Sequence, residues 1–491
     1  MQTLCVPSHS PHPNHIHTQT QNFATSANAR VGSISLGILY GVNAFSCVVV
    51  PNLIGPGRLL SVKASLFLGA VTYGLFVASY VHLITLILYV SSAVLGIGAA
   101  FLWIAEGSFV TATANDFEYE FLLPFNSELG YFNGLFWSIF QFNQFLGNLL
   151  AALLFQFDVH NQVIFAILTA VCFVGCLLFL CLQSSNNDTR HYDEAQISAF
   201  AKSIQQKNVP KSVEAAPALG IPEKAEAANG YDQLSWDKSA TYKSPIDHDA
   251  ELQKSFANAP KFGGGPKKSF DARSSVLLFH EYHRTQRRKT RVDLMATVRM
   301  WCSWRFLLVW PLAVYSGVTQ GFQFGEFGAQ IDSDSYTFYA LAAFGLSDAL
   351  FSSLFGKISD RVGRLPILLC AVMAHASVYV FLFLEHSAIS QELDGLWIWL
   401  ALGAVLGIGD AGFNTQILSL YPILLGDRPE TFANFNLWQS ASSCWCFFWH
   451  DFVSFEVKTA TYCGVLLLAV APIFLTSTGR TAARSKKNAH H

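Results

Sequence analysis

Apolar residues run along this chain in blocks of membrane-crossing length, broken by short polar turns and by one long polar interval. A helix needs ~20 mostly apolar residues to cross a hydrocarbon core ~30 Å thick. Blocks of that kind fall at about 31–53, 64–81, 82–105, 130–154 and 162–184. After the polar interval they resume at about 303–322, 335–356, 365–385, 394–421, 430–453 and 459–477. The pattern predicts eleven spans, five before the interval and six after it. Inside a bilayer every backbone N–H and C=O needs a partner within the protein, so uninterrupted apolar blocks of this length are read as helices. The expected fold class is an all-α polytopic membrane protein.

The polar stretches set the domain boundaries. Residues 1–30 carry no apolar run, so no signal-peptide core is expected there. His9, His12, His15 and His17 read as part of a polar, disordered tail rather than as metal ligands. Residues 31–184 form the first helix bundle. Residues 185–300 hold 18 of the 31 Lys and Arg together with a GGGPKK joint, and read as a flexible cytosolic linker. Within it, DEAQISAFAKSIQQ has the pattern of a short amphipathic helix. The basic run His283–Arg291 is a solvated flank or a contact for anionic headgroups. Residues 301–477 form the second bundle and 478–491 a basic cytosolic tail.

Composition agrees. The chain is 52% hydrophobic and only 13% charged, against about 25% charged in soluble proteins. A net charge of −2 gives no sign of nucleic-acid binding, and none is expected. The ten cysteines are scattered, Cys444 and Cys446 lack a second pair, and no metal or cofactor is expected. The placement of Lys and Arg orients the chain. With linker and C-terminus in the cytosol, the loops on that side hold Arg58, Lys63, Lys357, Arg361, Arg364 and Arg428. The opposite loops then carry Lys458 and the acidic Glu326, Asp332, Asp334, Glu385, Glu392 and Asp394. Eleven spans put the N-terminus outside and leave the sequon Asn187–Thr189 cytosolic and unglycosylated. The location is the plasma membrane or an endomembrane.

Polar residues inside the apolar blocks are the candidate chemistry. Asp410, Asn414, Thr415 and Gln416 interrupt one span, and Asn434, Asn436 and Gln439 open the next. Gln141, Gln144 and Asn148 share one helical face, directed to the bundle interior, while Asn143 falls off it. Asp348 and His375 lie in two further spans. Such groups either line a pathway or serve as hydrogen-bonding glue between helices. Glu106, at the end of its apolar block, reads as a membrane-edge residue. No nucleophile–base pair stands out, so an enzyme is not expected.

Two motifs repeat across the linker. Val94-Leu95-Gly96-Ile97-Gly98 recurs as Val405-Leu406-Gly407-Ile408-Gly409. The run Gly356-Lys357-Ile358-Ser359-Asp360-Arg361-Val362-Gly363-Arg364 resembles the signature that major facilitator superfamily members carry between the second and third helices of a half. Gly356 and Gly363 permit a tight turn there, and Asp360 can accept hydrogen bonds from arginines or a helix N-terminus. The resemblance implies a cytosolic latch built on Gly356, Asp360, Arg361, Gly363 and Arg364. The first half has only a reduced version, PNLIGPGR, so an intact latch is expected on one side only.

Several stretches, SISLGILYGVNAFSCVVVP, GLFWSIFQFNQFLGNLL, LSDALFSSLFGKISDRVGR, GDAGFNTQILSLY and FANFNLWQS among them, resemble the uncoordinated-93 family of ion-channel regulatory proteins, in order and over nearly every span. The resemblance implies a two-bundle, six-plus-six fold, with Gln21-Asn22 as the stub of a first helix apparently missing here. It implies a non-enzymatic regulator or escort of another membrane protein such as a potassium channel. The alternative is a major-facilitator-type transporter of a small solute or ion, working through Asp348, Asp410, Asn414, Gln416, Gln141, Gln144 and Asn148.

Overall fold

Eleven helices of seventeen residues or more carry the fold: α1 Ala29–Val49, α2 Val62–Ala78, α3 Thr85–Glu120, α4 Leu129–Gln156, α5 Asn161–Leu178, α6 Trp304–Gly321, α7 Asp334–Val362, α8 Arg364–Ala388, α9 Leu396–Leu425, α10 Pro429–Trp449 and α11 Phe455–Asn488. They come from a computed structural model that describes residues 29–181 and 295–488, apart from 56–57, 83, 122, 124–125, 157–160, 332–333, 389–394 and 450–451. The four N-terminal histidines, the amphipathic segment, the basic run, the sequon, Asp332, Glu392 and Asp394 lie outside the described residues. The described helices belong to one compact unit drawn from residues 1–190 and 290–491.

Among the described residues, six segments are long and apolar enough by composition to cross a membrane: Ile34–Asn52, Thr85–Glu118, Tyr336–Val362, Arg364–Leu384, Leu396–Leu425 and Phe455–Pro472. Their outer faces carry exposed apolar side chains, such as Leu86, Val90 and Ile97 on α3 and Leu467 and Leu468 on α11. In a bilayer lipid covers such a face.

The helices after the linker repeat the arrangement of those before it. Helix α1 packs on α3 as α7 packs on α9; α2 packs on α3 as α8 on α9; and α2 on α5 as α8 on α11. No helix matching α6 precedes α1 among the described residues. The repeated VLGIG run holds both copies together in the same way. A Cβ at Gly96 would fall 2.6 Å from the Leu39 carbonyl oxygen of α1, and Gly407 meets the Phe344 carbonyl and Asp348 backbone of α7 just as closely. Gly98 abuts Thr72 of α2, and Gly409 abuts His375 of α8. Each pair of glycines lets one helix touch two neighbours at backbone distance.

Two long helix pairs join the halves, α4 with α7 and α1 with α10. In the first, Gly130 and Gly134 of α4 face Gly356 of α7. A Cβ on Gly356 would sit 2.5 Å from the Gly130 carbonyl oxygen and 2.9 Å from the Gly134 Cα. Gly356 is therefore a helix-packing residue inside α7 and not part of a turn, as the sequence had suggested. The turn itself is Gly363, at φ 98°.

Two further expectations change. The third block does not end near residue 105: α3 continues to Glu120. Hydroxyl residues in that extension bond back into their own helix, Ser108 to the Ile104 carbonyl at 3.0 Å and Thr113 to that of Phe109 at 2.8 Å. Hydropathy falls while the helix persists. Nor are Glu326 and Lys458 loop charges. Each side chain is 5% exposed, and they form an ion pair of 2.6 Å between the end of α6 and the start of α11.

Candidate functional site

The polar residues of the spans converge between the halves. Asp410 of α9 accepts three amide hydrogen bonds: from Gln323 Nε2 at 3.0 Å, from Asn414 Nδ2 at 2.8 Å and from Gln141 Nε2 at 3.3 Å. The same Gln141 nitrogen also donates to Asp348 of α7, which accepts from Ser352 Oγ at 2.8 Å as well. One amide of α4 thus bridges two carboxylates of the other half. All six side chains are buried. Neither carboxylate meets a Lys or Arg among the described residues. Amide donors take the place of the water that a carboxylate loses on burial.

Local structure explains the convergence. Asp410 and Asn414 lie one helical turn apart on α9, as Asp348 and Ser352 do on α7, so each carboxylate has a donor on its own helix. Gln323 sits in a π-helical turn, Phe322–Phe327, that continues α6. Such turns recur at functional sites because they re-aim one side chain.

A cavity of about 40 Å³ adjoins the cluster, with Gln141, Gln144, Gln323, Asp410, Asn414 and Glu106 on its polar wall. At roughly 10–15 Å³ per water it has room for a few waters or one small ion. Trp103 and Trp137, stacked 6.1 Å apart, and Phe140 form its apolar wall. Glu106 is 6% exposed and belongs to the polar wall of the cavity, mid-way along α3, rather than to the membrane edge.

Most of the remaining sequence candidates fall elsewhere. Asn148 is fully buried on α4, away from the cavity, with both amide atoms lacking a hydrogen bond. Gln416 donates to Thr415 Oγ1 at 3.0 Å and accepts from Arg364 at 3.4 Å, which places it at the turn region. His375 is a satisfied core residue. The Leu406 carbonyl can only accept, so Nε2 donates to it at 3.1 Å and Nδ1 accepts from Tyr315 Oη at 2.6 Å. Asn434 acts as glue, accepting from Trp301 Nε1 at 2.7 Å, whereas Gln439, bonded to Ser316 Oγ at 2.8 Å, lines the cavity together with Asn436. Gln323 and Glu106 were not singled out as cavity residues. The spacing of Gln320 and Gln323 in an apolar block was the available signal. Among the described residues no group of three or more His, Cys, Asp or Glu side chains could hold a metal ion.

At one end of the halves lies the glycine-bounded turn. Asp360 accepts from the backbone N–H groups of Gly130 at 3.2 Å and Tyr131 at 2.7 Å, the first turn of α4. Arg364 lies 3.4 Å from the same carboxylate, and Lys357 stands over the Tyr131 ring at 5.6 Å. Arg361 is exposed and Gly363 makes the turn. The reduced turn of the first half is not idle. Arg58 donates to the Pro51 carbonyl and pairs with Glu430, in the first turn of α10, at 3.2 Å. Close by, Asn115 of α3 donates to Asp427 at 3.3 Å.

Comparison with known proteins follows the same architecture. A family model described as ion channel regulatory protein UNC-93 matches residues 24–212 and 274–474, most of both halves. The chain belongs to the UNC-93 family. It is 26% identical over 442 residues to UNC93-like protein 3 of Arabidopsis thaliana, covering 89% of this chain and 77% of that one. To protein unc-93 homolog A of Homo sapiens it is 26% identical over 456 residues, covering 90% and 84%. To UNC93-like protein MFSD11 of Xenopus tropicalis it is 24% identical over 450 residues, covering 86% and 81%. Among solved structures, the major facilitator proton:xylose symporter XylE bound to 6-bromo-6-deoxy-D-glucose matches with a TM-score of 0.54. That likeness runs over 94% of this chain and 89% of that one, at 11% identity. It shows that this UNC-93 family member has the major facilitator fold, and it speaks to the fold alone.

Proposed function

We propose that this protein is a non-enzymatic regulator or escort of another membrane protein, an ion channel and in the first instance a potassium channel. The observation that carries this reading is the match to the ion channel regulatory family across both halves. The end-to-end ties at Asp360 and Arg58 support it, because contacts that join two rigid halves at one end can be made or broken as a unit and so signal to a bound partner. We place the linker 185–300 and the C-terminus in the cytosol, on the side of those ties, with bundles at 31–184 and 301–477.

A second reading, transport of a small solute or ion, is favoured by the carboxylates and amides of both halves around one cavity. The test co-expresses the full chain with a panel of potassium channels and reads co-purification and whole-cell current. Regulation is expected to appear as a retained channel with altered current, and retention is expected to survive Asp410→Asn. No retained channel and unchanged currents, with solute uptake into proteoliposomes that Asp410→Asn abolishes, would establish transport instead.

A further inference from the structure

The cavity is electrically unbalanced. Its lining includes the carboxylates of Glu106 and Asp410 and no Lys, Arg or His. Asp348 adds a third carboxylate one amide away. Glu106 has one carboxylate oxygen, Oε1, that is buried without a hydrogen-bond partner. The amide of Gln141 repeats the feature. Its nitrogen is committed to the two aspartates, which fixes the orientation of the group, and its Oε1 is buried with no partner. Gln141 is 3% exposed and Glu106 6%, so bulk water does not serve these oxygens. A buried acceptor without a donor is costly, and two of them beside an uncompensated carboxylate call for a positive ligand.

We propose that this cavity is a binding site for one small monovalent cation, seated at Asp410 and the free Oε1 of Gln141, with the buried, unpartnered Oε1 of Glu106 on the same wall. Size and field both select the ligand. About 40 Å³ admits a largely dehydrated alkali ion or an ion with a water. Calcium demands six to eight oxygens, and magnesium a strict octahedron in which it usually keeps several waters. Here three amide donors already occupy most of the acceptor capacity of Asp410. The remaining oxygens form a weak, amide-rich field suited to a single charge. The inference goes beyond the regulatory reading and holds for a regulator and a transporter alike.

The experiment uses the purified full-length protein in detergent, with thermal unfolding followed at constant pH and ionic strength in lithium, sodium, potassium or choline chloride. One alkali cation is expected to raise the unfolding midpoint saturably relative to choline. Asp410→Asn and Gln141→Leu are each expected to weaken half-saturation by about ten-fold or more. Asn143→Ala, on the outward face of α4, is expected to leave it unchanged. Gln141→Leu removes the free oxygen together with the bridging nitrogen and leaves Asp410 in place, so it is the second variant should Asp410→Asn fail to fold. Binding of radioactive sodium or rubidium to the wild-type protein gives the same answer without a variant. Equal midpoints in all four salts overturn the proposal, as does an alkali response that survives Gln141→Leu. Stability that follows pH alone, with the salts equivalent, assigns the cavity to protons and overturns it too.

Discussion

The turn between α7 and α8 and the turn between α1 and α2 occupy the same place in the two halves, and each ties its half to the first turn of a helix in the other. They do so with opposite charges. Asp360 brings a carboxylate directly to the N–H groups of Gly130 and Tyr131. Arg58 brings a cation to Glu430, which stands in the first turn of α10. A helix N-terminus favours negative charge. That charge can arrive from the opposite half, or the helix can carry its own and leave the turn to supply the counter-ion. The fold therefore requires a tie at this place, while the motif GKISDRVGR is one chemical way of making it. The reduced PNLIGPGR turn departs from the motif and keeps the tie.

Breaking the acidic tie gives the largest effect. Asp360→Ala removes two charge-assisted bonds to backbone donors and is expected to cost about 2–3 kcal/mol, read as a lowered unfolding midpoint in detergent. An Asp360→Ala protein as stable as wild type would show that the carboxylate is idle. The helix pairs behind the ties sharpen the contrast. Gly356→Ala drives a methyl into the α4 backbone and is expected to cost about 1–3 kcal/mol. Gly41→Ala, whose nearest neighbour would be Cys444 Sγ at 3.5 Å, is expected to be close to neutral. Equal costs would mean that the α4–α7 and α1–α10 pairs pack alike. The smallest effect belongs to the basic tie. The Arg58 and Glu430 side chains are 17% and 10% exposed. A double-mutant cycle with Arg58→Ala and Glu430→Gln is expected to give a coupling of about 0.5–1 kcal/mol that weakens with added salt. A coupling as large as the loss at Asp360 would erase the difference between the two turns.

The same contrast marks how far the residues could be read in one dimension. A fold of repeated helical halves, and the ability of Asp360 to serve a helix N-terminus, were visible in hydropathy, in the VLGIG repeat and in the glycine-bounded motif. Which helix Asp360 serves was not, because Gly130 and Asp360 are 230 residues apart. Arg58 looked like the remnant of a lost motif because its partner, Glu430, is 372 residues away. In the sequence Glu106 reads as a membrane-edge residue because its apolar block ends there. Hydroxyls bonded within their own helix let α3 run on and carry Glu106 inside.

Sequence alone determined the class of this protein: apolar blocks too long for anything but membrane helices, repeated on either side of a polar interval, with carboxylates and amides at fixed helical faces. Those are local properties, set by a 3.6-residue period and by the cost of unpaired backbone in lipid. Tertiary structure alone decided that Gln141 bridges Asp348 and Asp410, that a π-helical turn aims Gln323 at the same carboxylate, and that Asn148 and Gln416 stay out of the cavity. Such pairings depend on the approach and rotation of helices far apart in the chain, and helical period constrains the face a residue takes without naming what that face will meet.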